Sequence, residues 1–155
     1  MTRVQGLLGT AVVVAVLAYA GLAGTWVSRD PGWYAALPKP SFQPPDWVFG
    51  VIWPYNFVAL VVAGLVLTAS RPTGPVLGWL VVLVASAGFA LTWAYLFYVP
   101  HHLGAAAVAV GIAAAGAWVL VGLAGRQVPW LAVLLLPYAL WVSVATALAI
   151  AYARS

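Results

Sequence analysis

The sequence predicts an all-α integral membrane protein, a bundle of five transmembrane helices. Three observations predict it. Of 155 residues, 66% are hydrophobic and only 5% are charged, against roughly 25% charged in a soluble globular domain. Five apolar runs are each long enough to cross a bilayer, which takes roughly 20 residues of helix. Every run ends in the Gly, Pro or charge that marks a turn in water.

The runs follow in order. The first covers 5–27 and closes at Ser28, Arg29, Asp30, Pro31 and Gly32. Ala18-Tyr19-Ala20 fits a signal-peptide cleavage site behind Arg3, but the apolar run continues well past it, which favours a spanning helix. The segment 28–46 is polar and rich in proline and is the longest loop. The second run, 47–69, closes at Ser70, Arg71, Pro72 and Gly74. The third, 75–99, closes at Pro100, His101 and His102. The fourth, 104–124, closes at Gly125, Arg126 and Gln127. The fifth, 129–153, ends at Arg154. Each run is too long for a membrane strand, and none alternates polar with apolar residues. A single domain, 1–155, is expected.

Five spans place Arg29, Lys39 and Arg154 on one face, and Arg3, Arg71 and Arg126 on the other. The positive-inside rule therefore returns a tie. The long loop, the His pair and the C-terminus share one face.

No Asp, Glu, Lys, Arg or His lies inside the runs. Proton pumps, ion-coupled transporters and voltage sensors carry such groups at membrane depth, so a charge relay is not expected. No nucleophile or acid–base pair is visible in the spans either. With no cysteine and only two adjacent histidines, no metal site is expected. No basic run suits nucleic acid. The expected surroundings are the lipid bilayer, and the abundance of Ala, Val and Gly suits a bacterial membrane.

The spans are rich in aromatic residues, with nine Trp, seven Tyr and five Phe in the chain. Trp26, Trp79, Trp130 and Tyr152 lie near span ends, where amphipathic rings form interfacial belts. Trp53, Trp93, Trp118 and Trp141 lie deeper and need partners for their N–H groups. They imply interhelical hydrogen bonds or a cavity with flat walls suited to a planar, apolar ligand. Pro54 and Pro137 bend their helices beside Trp53 and Trp141, which opens space between helices. Small residues at Ala107, Gly111 and Ala115, and at Ala20 and Gly24, allow close helix approach, either within one bundle or at a homodimer seam.

The stretch from Trp33 to Trp53, WYAALPKPSFQPPDWVFGVIW, resembles the signature of the TspO/translocator protein family, roughly W-Y-x-x-L-x-K-P-x-W-x-P-P-x-W-V-F-x-x-x-W. Trp93-Ala94-Tyr95-Leu96-Phe97-Tyr98 is similar to that family's W-x-P-x-F-F. Pro137-Tyr138-Ala139-Leu140-Trp141 with Ala145 and Thr146 is similar to its P-Y-x-x-W-x-x-x-A-T. The resemblance covers nearly the whole chain. It implies a TspO-like bundle, often homodimeric, with a pocket under the first loop that takes porphyrin, haem or sterol-like ligands and requires no cofactor. By position it implies Tyr34, Trp53, Trp93, Tyr138, Trp141 and Ala145 as ligand-binding residues. Lys39, Pro40, Pro44 and Pro45 would shape the lid. Arg29 or Lys39 would be placed to meet a ligand's carboxylates.

The resemblance also leaves two other readings open. One is light-dependent porphyrin degradation, with Trp53 and Trp141 implicated. The other is a regulatory membrane subunit that acts through a protein partner. The sequence departs from the family at Ala90 and Ala149, where Asn is usual, and at Phe42, Phe57 and Tyr95. These departures imply a pocket more apolar than the family norm. Leu148, Tyr152 and Arg154 fit a weak pattern proposed for cholesterol. A belt Tyr and a snorkelling Arg explain it equally well.

Overall fold

The computed structural model describes residues 2–155. Six helices form: α1 (Arg3–Val27), α2 (Pro31–Ala36), α3 (Asp46–Ser70), α4 (Thr73–Tyr98), α5 (Leu103–Gln127) and α6 (Pro129–Arg154). All but α2 are long and apolar enough to cross a membrane. The protein is therefore an integral, multi-pass membrane protein.

The spans differ from the sequence reading chiefly at the end of α5, which continues through Gly125, Arg126 and Gln127. Gly125 serves contact there rather than a turn, since a Cβ on it would sit 2.8 Å from Ala132 Cβ on α6. The chain reverses at Val128, and Pro129 opens α6 at a position where its missing N–H costs nothing. The short helix α2 was expected to be loop. Asp30 caps it, accepting from the Trp33 N–H at 3.1 Å, and Pro31 occupies the first turn.

At the other end of the chain, Thr2 and Gln5 form a reciprocal capping box on α1. Within the spans, the hydroxyls of Thr10, Thr25, Thr68, Ser70, Thr92 and Ser143 each donate to the carbonyl four residues back. This satisfies polar side chains where no water is at hand.

The spanning helices close into a ring, in the order α1, α3, α6, α5, α4 and back to α1. Two close approaches define it. On Gly64 of α3, a Cβ would fall 2.9 Å from Val12 Cγ2 of α1 and 3.1 Å from Trp79 Cζ3 of α4. On Gly116 of α5, it would fall 2.8 Å from Ser86 Cβ of α4. Gly111 of the α5 stripe faces Thr146 of α6, so at that point the stripe packs within the bundle.

Two belt assignments change. Trp79 is 1% exposed, and its Nε1 donates to the Leu120 carbonyl at 3.3 Å. Gly64 leaves the room that brings this indole inside. Tyr152 is also buried, and its hydroxyl donates to Gln43 Oε1. Leu148 is buried as well, so the pattern of Leu148, Tyr152 and Arg154 does not present its Leu and Tyr to lipid. Trp130 is exposed, as a belt residue should be.

Candidate functional site

At the lid end of the ring the helices part around a cavity of about 370 Å³. Each wall comes from a different element. Helix α1 contributes Tyr19, α2 contributes Tyr34, and α3 contributes Phe49, Trp53 and Phe57. Helix α4 brings Trp93, Phe97 and Tyr98, and α6 brings Trp141, Ala145 and Tyr152. The rings lean on one another. Trp53 stacks with Phe57 at 5.6 Å, Tyr19 meets Phe57 edge-on at 5.2 Å, and Phe49 meets Trp141 edge-on at 4.9 Å. Such pairing fixes ring orientation and keeps flat faces available.

Of the residues that the resemblance implied for binding, Tyr34, Trp53, Trp93, Trp141 and Ala145 line this cavity. Tyr138 does not. It is fully buried, with its hydroxyl 3.1 Å from that of Tyr19, and so holds the Tyr19 ring from behind. Trp118 is also absent from the wall. It is 43% exposed, and its Nε1 donates to Ser143 Oγ at 3.0 Å. The deep indoles thus divide: Trp118 ties α5 to α6, and the other three face the cavity.

The polar inventory is small. Trp93 Nε1 and Trp141 Nε1 are buried without a hydrogen-bond partner. Ala90 and Ala149, the two positions that depart from the family's Asn, both lie on the wall. Aromatic edges and methyl groups therefore stand where amides would otherwise offer both donors and acceptors. What remains unpaired on the two indoles is donors only.

The lid closes the end of the cavity that faces water. Gln43 Nε2 donates to the Tyr34 hydroxyl at 3.3 Å, and Gln43 Oε1 accepts from Tyr152. One amide thus latches α2 to the end of α6. Trp33 stacks face to face on His101, with centroids 3.6 Å apart and planes 4° apart, and meets Phe97 edge-on. His101 takes a positive φ of 62° at the α4–α5 turn, a conformation that His adopts more readily than most residues.

The lid residues named from the sequence line no part of the cavity. Lys39 Nζ donates to the Tyr34 carbonyl, and to the Leu37 carbonyl at 3.4 Å. It lies 4.1 Å above the Tyr34 ring. Its charge is engaged by its own loop. Pro40 accepts from the Gln43 N–H at 3.0 Å, which places the latch residue. Pro45 is the N-cap of α3, and Pro44 precedes it.

Sequence reasoning missed Tyr19, Phe49, Phe97, Tyr98 and Gln43. Tyr19 carried a signal in retrospect, as a phenol in the middle of an apolar span that needs a buried partner.

The comparisons agree with this architecture. The chain is 34% identical to the translocator protein of Ovis aries, over 83% of this chain and 78% of that protein. It is 30% identical to protein CrtK of Rhodobacter capsulatus, over 89% and 86%. It is 28% identical to the tryptophan-rich sensory protein of Cereibacter sphaeroides, over 75% and 72%. Residues 11–154 match the TspO/MBR family, and with the five-helix ring and the lid-covered cavity in place, the chain belongs to that family.

Proposed function

We propose that this protein binds a planar, largely apolar ligand of the tetrapyrrole or sterol-like class in the aromatic cavity under the lid. The observation that carries this reading is a wall of Trp, Tyr and Phe rings with two indole N–H groups left unpaired. Burying apolar ligand surface is worth about 25 cal/mol per Å². Each well-placed aromatic pair adds about 0.5–1.5 kcal/mol. An unpaired buried donor costs about 1–3 kcal/mol, so a ligand acceptor at Trp93 or Trp141 recovers part of that cost. The absence of Asp, Glu, Lys, Arg and His from the wall suits a ligand that keeps any charged group at the lid rather than at depth.

The test is titration of the detergent-solubilised protein with protoporphyrin in the dark, followed by quenching of tryptophan fluorescence. Saturable quenching is expected. Trp141→Leu should weaken it by about tenfold, as expected for loss of a stacking face and a donor together. Quenching that never saturates would leave the cavity without its ligand, and a protein partner would become the better reading.

A further inference from the structure

We propose that the ligand enters sideways from the bilayer, through a gap between α1 and α3 in the lid-side half of the membrane, and not through the lid. This rests on the binding reading above and adds the route.

The two helices run antiparallel and touch closely over the half away from the lid. A Cβ on Gly64 would overlap the γ-methyls of Val12, and one on Gly9 would lie 3.4 Å from Leu65 Cδ2. Midway, Tyr19 and Phe57 are in ring contact at 5.2 Å. The same register carries Gly24 of α1 to the level of Gly50 of α3. There a Cβ on either glycine would meet nothing within 4 Å. Gly24, Gly50 and Val27 are exposed, and all three line the cavity. At this level the wall therefore has no side chain on either glycine to close it.

The two candidate routes differ in what must be broken. At the lid, the Gln43 bonds to Tyr34 and Tyr152 and the Trp33–His101 stack would all have to part. At the gap there is no side chain on either glycine and no hydrogen bond to break. A ligand apolar enough to suit the cavity partitions into the bilayer, so the gap also opens where such a ligand is concentrated.

The chain has no cysteine, which makes the gap addressable. In Gly24→Cys/Gly50→Cys protein in lipid nanodiscs, a bis-methanethiosulfonate reagent would bridge the gap, and reduction would reopen it. The probe is protoporphyrin, followed by stopped-flow quenching. A barrier on the route changes both rates and leaves their ratio alone. The bridged form should therefore bind and release about tenfold more slowly than the same protein after reduction, with Kd shifted by much less than either rate. Trp33→Ala, which loosens the lid, should leave the association rate as it is. Rates that ignore the bridge while Trp33→Ala accelerates binding would overturn the portal and place entry at the lid. A protein that binds no protoporphyrin before bridging would overturn the cavity reading itself, and the portal with it.

Discussion

Asn56 is fully buried on α3, and neither its amide oxygen nor its amide nitrogen has a partner. The other buried polar side chains, Thr68 and Ser86, donate to backbone carbonyls, Ser86 across to Ala113 on α5 at 2.9 Å. An amide without partners in a low-dielectric interior costs free energy at both of its ends. Asn56→Leu keeps the branching and the number of side-chain heavy atoms and removes both orphan groups. It should raise stability by about 1–3 kcal/mol, seen as a higher Tm of the detergent-solubilised protein. A lower Tm would mean that the amide is bonded to a buried water, whose loss then outweighs the gain. At this scale the sequence was only partly legible. Trp53, Trp93 and Trp141 could be singled out because an indole deep in an apolar run needs an explanation. Trp79 was misread, because nearness to a helix end says nothing of the glycine on a neighbouring helix that admits it.

At the scale of elements, the spanning helices were legible almost to the residue, since a bilayer demands length and apolarity and water demands breakers. Helix α2 was not, although Asp30-Pro31 is a helix-start signal, because two turns inside a proline-rich loop lack any apolar period. Element packing was also hidden, apart from its small residues. Gly64 shows what they do. A methyl there would meet both γ-methyls of Val12, and a β-branched side chain on a helix has one strongly preferred rotamer and little room to yield. Gly64→Ala should therefore destabilise the bundle by about 1–3 kcal/mol, the cost of overpacking a close contact. Val12→Ala in the same chain should restore most of the loss. Gly24→Ala, placed in open space, should change Tm little. Thermal melts of the four proteins test the set, and equal effects at Gly64 and Gly24 would show that helix propensity rather than contact governs these glycines.

For the molecule as a whole, the order of helices around the ring could not be read. In lipid, the face of a helix that meets its neighbours is no more apolar than the face that meets the bilayer, so no amphipathic stripe points inward. This is why Tyr19, Phe49 and Phe97 were not recognised as cavity walls, while the motif-bearing tryptophans were. The lid adds a coupling that only the assembled structure displays. Gln43, from the loop between α2 and α3, joins Tyr34 of α2 to Tyr152 near the end of α6, two residues far apart in sequence. Gln43→Leu removes one acceptor and one donor without touching the spans. The lid would then keep the Trp33–His101 stack and the contacts of Tyr34 with Phe97 and Tyr98, but lose the bonds that fix the loop to α6. Hydrogen exchange should accelerate by about tenfold in the amides of α2 and the loop that follows, while amides in the spanning helices keep their protection, because local opening and global unfolding are separate events. Added protoporphyrin should slow lid exchange in the unaltered protein more than in Gln43→Leu, since a ligand against Tyr34 and Tyr152 and the Gln43 latch hold the same two side chains. Faster exchange throughout the spans would mean instead that the lid helps hold the ring together, and that the five helices and their cover unfold as one unit.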